Sequence, residues 1–350
     1  MYKHGIKQAG TENYNSAIDS FSKAIKITHI FNISNDSNIL FGRGMSYLKT
    51  GKYTESINDF SQYILKNTTD EMGYFNRGKA YSITGKYNEA INDFGNVIRI
   101  DANNAEAYYY RGKMFSLKFD TEQAKTQFSK AIEMKHDFKD AYIDRGNILQ
   151  DNHDLVVALT DYKKAISIDA KSIRAFYYIG NLYLENNETS NSETYFKQGL
   201  NIPLISADDY FYNGQIYYIQ KKYASAVDSF TKAIENDPLL VDAYFMRGNA
   251  NNNLKLYDKS IEDFKYVVNV NSVYSNGYYN LANAYYSLEN YSLAITNYSN
   301  TLNKTPDILD AYYRRGISYM KTKEYRSAAS DFNKLIADNY ENKSIYFWLV

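Results

Sequence analysis

The side chains of this sequence that could do chemistry are few and scattered. Its histidines are His4, His29, His136 and His153, and no two are spaced to bring both imidazoles to one metal ion. The chain has no cysteine, which removes thiolate ligands, disulfides and thiol nucleophiles together. Gly51-Lys52 and Gly85-Lys86 share a dipeptide with phosphate-binding loops. The glycine spacing before them is wrong, however, and tyrosine follows each lysine where Ser or Thr should hold magnesium. No acid, base and nucleophile converge. The sequence therefore assigns no catalytic residue, no metal and no cofactor, and reads as a non-enzyme.

One charged pattern does recur. Arginine stands at Arg43, Arg77, Arg111, Arg145, Arg247 and Arg315, and sixteen residues after each comes Asp59, Asp93, Gln127, Asp161, Asp263 or Asp331. Where that arginine is replaced by His4, Ile179, Asn213 or Leu281, the partner position holds Ser20, Tyr195, Ser229 or Asn297, never aspartate. A guanidinium fork suits bidentate contact with a carboxylate. The co-occurrence predicts five structural salt bridges, largely buried: Arg43–Asp59, Arg77–Asp93, Arg145–Asp161, Arg247–Asp263 and Arg315–Asp331.

The arginines lie on a grid. Gly44, Gly78, Gly112, Gly146, Gly180, Gly214, Gly248 and Gly316 follow a 34-residue period, with Ala282 filling the remaining slot. Twelve residues after each is a small residue such as Ser56 or Ala90, and four further on is an aromatic such as Phe60, Phe94 or Tyr162. A fixed period of this size means stacked units rather than one globular core. Within Glu71–Asn104, Tyr74, Arg77, Gly78 and Tyr81 share one face of a first helix. Thr84-Gly85-Lys86 turns the chain. Tyr87, Ala90, Ile91, Phe94, Val97 and Ile98 form the stripe of a second helix. Each unit is thus an αα-hairpin, with glycine and alanine letting the two helices approach.

The motif Tyr74-x2-Arg77-Gly78-x2-Tyr81, then Ala90-x3-Phe94, with Pro238 and Pro306 ending their units, resembles the tetratricopeptide repeat. The resemblance covers essentially the whole chain. It implies an all-α fold, a right-handed α-solenoid superhelix of stacked antiparallel helix pairs. The expected organisation is a single solenoid over 1–350. A partial first repeat with an insertion around Asn32 to Ser37 occupies 1–36. Repeats follow at 37–70, 71–104, 105–138, 139–172, 173–206, 207–240, 241–274, 275–308 and 309–342, and 343–350 begins a truncated further one. On this reading the chain is cut from something longer. The unit 173–206 lacks a turn glycine, starts its second helix with polar residues and carries Gly199 in it, so it is expected to be the weakest link.

The resemblance also implies a concave groove lined by the first helices, where a partner peptide lies. The slot after the glycine reads Met45, Lys79, Lys113, Asn147, Asn181, Gln215, Asn249, Asn283 and Ile317. Its consecutive amides Asn147, Asn181, Gln215, Asn249 and Asn283 can each meet a peptide N–H and C=O. Phe41, Phe75, Tyr109, Tyr177, Phe211, Phe245, Tyr279 and Tyr313, four residues before this slot, are expected to divide their duty between anchoring a ligand and core packing, with the tyrosine hydroxyls in water. Lysines mark early units (Lys49, Lys79, Lys113) and acids later ones (Asp140, Asp151, Glu185), which suits a ligand that is acidic toward the early units. No unit has lysine at the aromatic slot, so a chaperone-tail clamp is not expected.

The sequence is formally neutral at pH 7 and has no basic run, which argues against a nucleic-acid partner. No stretch suits membrane insertion, and no apolar signal segment opens the chain; a cytoplasmic location is the expectation. The leading functional expectation is a scaffold binding an extended peptide or helix of a partner protein. The alternatives are an architectural arm that self-associates or assembles through its convex face, and the docking arm of a larger enzyme such as a glycosyltransferase. The asparagine slot of that last family, two residues before the glycine, is filled here only by Asn76 and Asn280.

Overall fold

The computed structural model describes residues 6, 7, 9, 10, 13–30, 37–338 and 340. Expectations that fall on His4, Gly5, the insertion from Asn32, the side chain of His29 and the segment 343–350 lie outside the described residues. Among those described there are helices and no strand. The chain divides into two compact units, Met1–Gly199 and Leu200–Val350.

In the first unit, helix α1 (Tyr14–Ile30) precedes the hairpins α2/α3 (Ser37–Lys49, Tyr53–Lys66), α4/α5 (Glu71–Ile83, Tyr87–Ile100), α6/α7 (Ala105–Leu117, Thr121–Met134), α8/α9 (Lys139–Asp151, Leu155–Ile168) and α10/α11 (Ile173–Glu185, Thr189–Leu200). The second unit carries α12/α13 (Ala207–Ile219, Tyr223–Asn236), α14/α15 (Val241–Asn253, Tyr257–Val270), α16/α17 (Ser275–Ser287, Tyr291–Lys304) and α18/α19 (Leu309–Lys321, Tyr325–Ala337). Within each unit every helix packs on the next, so the core is a sequence of small clusters shared by adjacent hairpins. This is the α-solenoid arrangement.

The hairpins close where the grid placed its small residues. A Cβ on Gly78 would come 3.0 Å from the Phe94 ring, and one on Gly214 would come 2.7 Å from Phe230. The small slot on the second helix packs on the same spot: Ala90 is fully buried, and Ser56 Oγ donates to the Gly44 carbonyl at 2.8 Å. The aromatic rings Phe60, Phe94, Tyr162, Phe230, Phe264, Tyr298 and Phe332 are fully sealed. Core aromatics of this kind dominate the burial energy of each hairpin.

The turns depart from the sequence reading. After each first helix one residue takes a left-handed conformation: Gly51, Gly85, Phe119, His153, Asn187, Lys221, Lys255, Glu289 and Lys323, all with φ between 57° and 76°. The residue after it returns its N–H to the carbonyl five residues back, as Lys86 does to Tyr81 at 2.9 Å and Asp120 to Phe115 at 2.9 Å. This is a Schellman cap. Most of these turns therefore lack glycine, and its absence at Asn187 does not set the unit 173–206 apart. Closure of the hairpin imposes the conformation and the side chain tolerates it. What does distinguish that unit is its second helix, which buries only Ser192, Phe196 and Gly199.

Two outcomes follow. Phe119 is 89% exposed, so Phe119→Gly removes left-handed strain without losing packing and should raise stability by about 1 kcal/mol, while Gly85→Ala should lower it by a similar amount; urea-denaturation midpoints measure both. In native-state hydrogen exchange the amides of Thr189–Leu200 should exchange ahead of those of Tyr223–Asn236; equal protection in the two helices would remove the weak-link reading.

Candidate functional site: the hairpin lock and the first-helix face

In five hairpins the guanidinium grips an aspartate with two parallel bonds. Arg77 Nε lies 2.8 Å from Asp93 Oδ2 and Nη2 lies 2.7 Å from Oδ1. The same fork joins Arg43 to Asp59 (2.7 and 2.8 Å), Arg145 to Asp161 (2.8 and 2.8 Å), Arg247 to Asp263 (3.0 and 2.7 Å) and Arg315 to Asp331 (2.8 and 2.6 Å). The aspartates are buried and the arginines half-buried. In four of them a tyrosine three residues earlier supports the guanidinium face, as Tyr74 does for Arg77 at 5.9 Å, and beside Arg43 the ring is Tyr47. Burial pushes the Asp93 carboxyl up although Arg77 pulls it down, so desolvation outweighs the pair's attraction there. The bridge then acts as a geometric lock rather than a large source of stability.

Hairpins without the arginine substitute coherently. Ser229 Oγ donates to Asn213 Oδ1 at 2.8 Å, a neutral version of the same bond. Ile179 is sealed in an apolar cluster with Tyr195 packed against it. Asn297 turns back to the Leu293 carbonyl at 2.8 Å.

Sequence reasoning missed the third contact of the lock. The remaining guanidinium nitrogen donates to a hydroxyl on the second helix of the preceding hairpin: Arg77 Nη1 to Ser61 (3.0 Å), Arg145 to Ser129 (3.3 Å), Arg247 to Thr231 (3.2 Å), Arg315 to Ser299 (2.9 Å) and Arg43 to Ser22 (3.2 Å). A signal was there to read. Sixteen residues before Ile179, Asn213 and Leu281 stand Lys163, Lys197 and Lys265. Lysine occupies the hydroxyl slot only where no arginine would face it.

On the first helices the slot after the glycine is half-buried at Lys79, Lys113, Asn147, Asn181, Gln215, Asn249 and Asn283. The amides already make internal bonds. Asn147 Oδ1 accepts from Tyr162 Oη at 2.7 Å and Asn283 Oδ1 from Tyr298 Oη at 2.7 Å, in the hairpins whose second-helix ring is tyrosine instead of phenylalanine. Asn249 Oδ1 accepts from Asn280 Nδ2 at 3.0 Å, and Asn181 donates to Glu185 at 2.8 Å. Lys79 Nζ lies 5.0 Å from the ring centres of both Phe75 and Tyr110 and has no ion pair among the described residues; burial pushes its pKa down. Lys113 sits over Tyr109 at 5.8 Å.

The aromatic slot is chiefly core. Phe41, Phe75, Tyr109, Phe211, Phe245 and Tyr279 meet the second-helix ring of their own hairpin at centroid distances of 5.6 to 6.1 Å. Tyr177 lies edge-on to Tyr178 at 4.9 Å and Tyr313 lies 6.2 Å from Tyr340. The hydroxyls of Tyr109 and Tyr279 do not point to water as expected. They donate to Asp144 (2.8 Å) and Asp310 on the next first helix. Arg174 binds Asp140 at 3.1 Å and also Asp144, so part of the acidic stretch is neutralised from within. Asn76 is buried and donates to the Met72 carbonyl at 2.8 Å, so it presents no amide to a ligand.

Consecutive helix hairpins locked by one repeated contact define an α-solenoid repeat protein. Family models described as "TPR repeat" and "Tetratricopeptide repeat" match residues 78–117, 207–240, 241–273, 282–323 and 310–340, and the chain belongs to the tetratricopeptide repeat family. Among solved structures, a tetratricopeptide repeat protein from Parabacteroides merdae is 16% identical, with 71% of this chain covering 96% of that one at a TM-score of 0.58. The APC/C hetero-tetramer Cut9–Hcn1 is matched at 15% identity, 87% of this chain against 58% of that one, with a TM-score of 0.50. The Pseudomonas aeruginosa pilF structure is 19% identical over 59% of this chain and 94% of its own, at 0.50. These likenesses are of fold. No curated protein matches the sequence. Among the described residues no helix is long and apolar enough to cross a membrane.

The lock itself is open to a direct test. Asp93→Ala strands a half-buried guanidinium and should cost about 3–5 kcal/mol, whereas the double change Arg77→Met, Asp93→Leu should cost clearly less. Additive losses in this cycle, read from denaturant midpoints, would remove the coupling.

Proposed function

We propose that the first helices of each unit form a recognition face for an extended peptide or helix of a partner protein, and that the chain is a non-catalytic scaffold. The tetratricopeptide fold typically is one, and it generally binds protein partners. The observation that carries the reading is a contrast inside each repeat. The glycine slot is sealed against a ring, while the very next residue stays half-exposed and polar through seven consecutive hairpins, from Lys79 to Asn283. Only in the hairpins of Tyr162 and Tyr298, whose sealed hydroxyls donate to Asn147 and Asn283, does the packing itself ask for a polar side chain there.

The internal bonds sharpen what the face offers. With its carbonyl oxygen accepting from Tyr162, Asn147 keeps its amide N–H groups to donate, which suits the carbonyls of an extended backbone. Lys79, half-buried between two rings without an ion pair among the described residues, suits a carboxylate on the partner. Each such contact contributes about 0.5–1.5 kcal/mol, so recognition rests on several together.

The test is a pull-down with the purified chain, followed by calorimetry with the partner it identifies. Lys79→Met and Asn147→Ala should each weaken binding by up to about tenfold, and Lys130→Ala, an exposed second-helix change, should leave it unaltered. Loss on Lys130→Ala with no effect of the other two would instead favour assembly through the convex second helices.

A further inference from the structure

Among the six arginines of the lock, Arg111 is the exception at both polar contacts. Its Nε and Nη2 share one neutral oxygen, Gln127 Oε1, at 3.0 and 2.6 Å. Among the described residues no carboxylate pairs with it, and burial pushes its pKa down where those of its five siblings are raised. Its hydroxyl partner is missing as well. The slot that holds Ser61, Ser129, Thr231 and Ser299 for the others is Gly95.

Gly95 has no packing reason to be glycine. A Cβ built on it would meet only Arg111 Nη1, at 3.7 Å, whereas one on Gly78 in the same hairpin would press on Phe94 at 3.0 Å. A glycine inside helix α5 costs about 1 kcal/mol against alanine, and its φ is not in the left-handed region. What the glycine does is leave an open notch between α5 and α6, with the third guanidinium nitrogen facing into it. One helical turn on from Gly95, on the same side of α5, is the exposed Arg99. The same slot is Leu65, Glu133, Ser167, Asn201, Glu235, Asn269, Asn303 or Ala337 in other hairpins, and is basic again only at Lys26, four residues after Ser22.

We propose that Arg111 and Arg99 form an anion-docking site entered over Gly95, which receives a phosphate monoester or carboxylate carried by a partner. The incoming oxyanion takes the role that aspartate and serine play in the sibling hairpins: it supplies the missing charge and accepts from Nη1. The Tyr108 ring, 5.8 Å from the guanidinium carbon, holds the fork in place. The site lies between a second helix and the next first helix, and it stands independently of peptide recognition by the amide slot.

The repeat itself provides the control variant. Gly95→Ser with Gln127→Asp rebuilds the contacts found in five other hairpins, so it keeps the fold and saturates Arg111 from within. Binding is followed by the NMR shifts of the Gly95 and Arg111 amides, titrating inorganic phosphate, a short phosphoserine peptide and a glutamate peptide at constant ionic strength; in the variant the shifts of residue 95 and Arg111 are followed. The expected result is saturable binding of at least one probe to the wild-type chain and at least tenfold weaker binding to the double variant and to Arg111→Met. A response to inorganic phosphate as strong as to the peptides leaves a small-ion site and overturns the partner-borne assignment, whereas a stronger response to a peptide supports it. No saturable shift in the wild-type chain, or equal binding by the rebuilt variant, overturns the proposal.

Discussion

The structure depends on the close approach of two helices at one glycine. Only where the first helix carries no side chain can a ring from the second helix lie directly on its backbone, as Phe94 lies on Gly78 and Phe230 on Gly214. That contact sets the distance between the helices. Once it is set, the small slot at Ala90 or Ser56 must stay small, and the ring must be aromatic to fill what remains. It also brings the residue before the glycine alongside the one before the ring, sixteen positions apart. The lock is thus a consequence of the packing, and the hairpins can exchange its chemistry freely: an ion pair at Arg77–Asp93, a neutral bond at Asn213–Ser229, an apolar contact around Ile179.

The third bond of the lock gives this local device a longer reach. By donating to Ser61, Arg77 ties its own hairpin to the one before it. Stability in a solenoid is a sum of hairpin terms and nearest-neighbour terms, and one guanidinium here contributes to both. Lys163 and Lys265 fill the facing slot where the next hairpin has Ile179 or Leu281 in place of the arginine, so no ammonium meets a guanidinium there. Burial raises the Asp93 and Asp263 carboxyl pKa against the pull of their arginines, as befits bonds that serve orientation more than stability.

The first-helix face is built under a different rule. Its aromatic slot belongs to the core, while the slot after the glycine is polar and half-exposed from Lys79 to Asn283. Several polar groups on this face bind one another across neighbouring first helices, as Tyr109 does with Asp144 and Asn280 with Asn249. These contacts pre-orient the side chains that remain. Asn147 is left with its N–H groups to donate because the Tyr162 hydroxyl already holds its oxygen.

Much of this was legible in the residues alone, because the chain repeats and each hairpin is a comparison for the others. The 34-residue grid gave the helix pairs, and the parallel loss of Arg and Asp gave the sixteen-residue contact, since both partners lie within one hairpin. The hydroxyl partners escaped notice because serine is common and the contact crosses to the preceding hairpin, although Lys163, Lys197 and Lys265 carried the signal. The link between Tyr162 and Asn147, and between Tyr298 and Asn283, was visible in the same way. What residue types could not decide was the turn, where Phe119, Lys221 and Glu289 adopt a conformation that their side chains disfavour. There the closure of the hairpin outweighs a local preference of about 1 kcal/mol. Nor could they decide which way each amide points. Sequence determines which side chains recur and which vary together, because that record is local; only the packed helices decide which polar atoms are already satisfied and which still face outward.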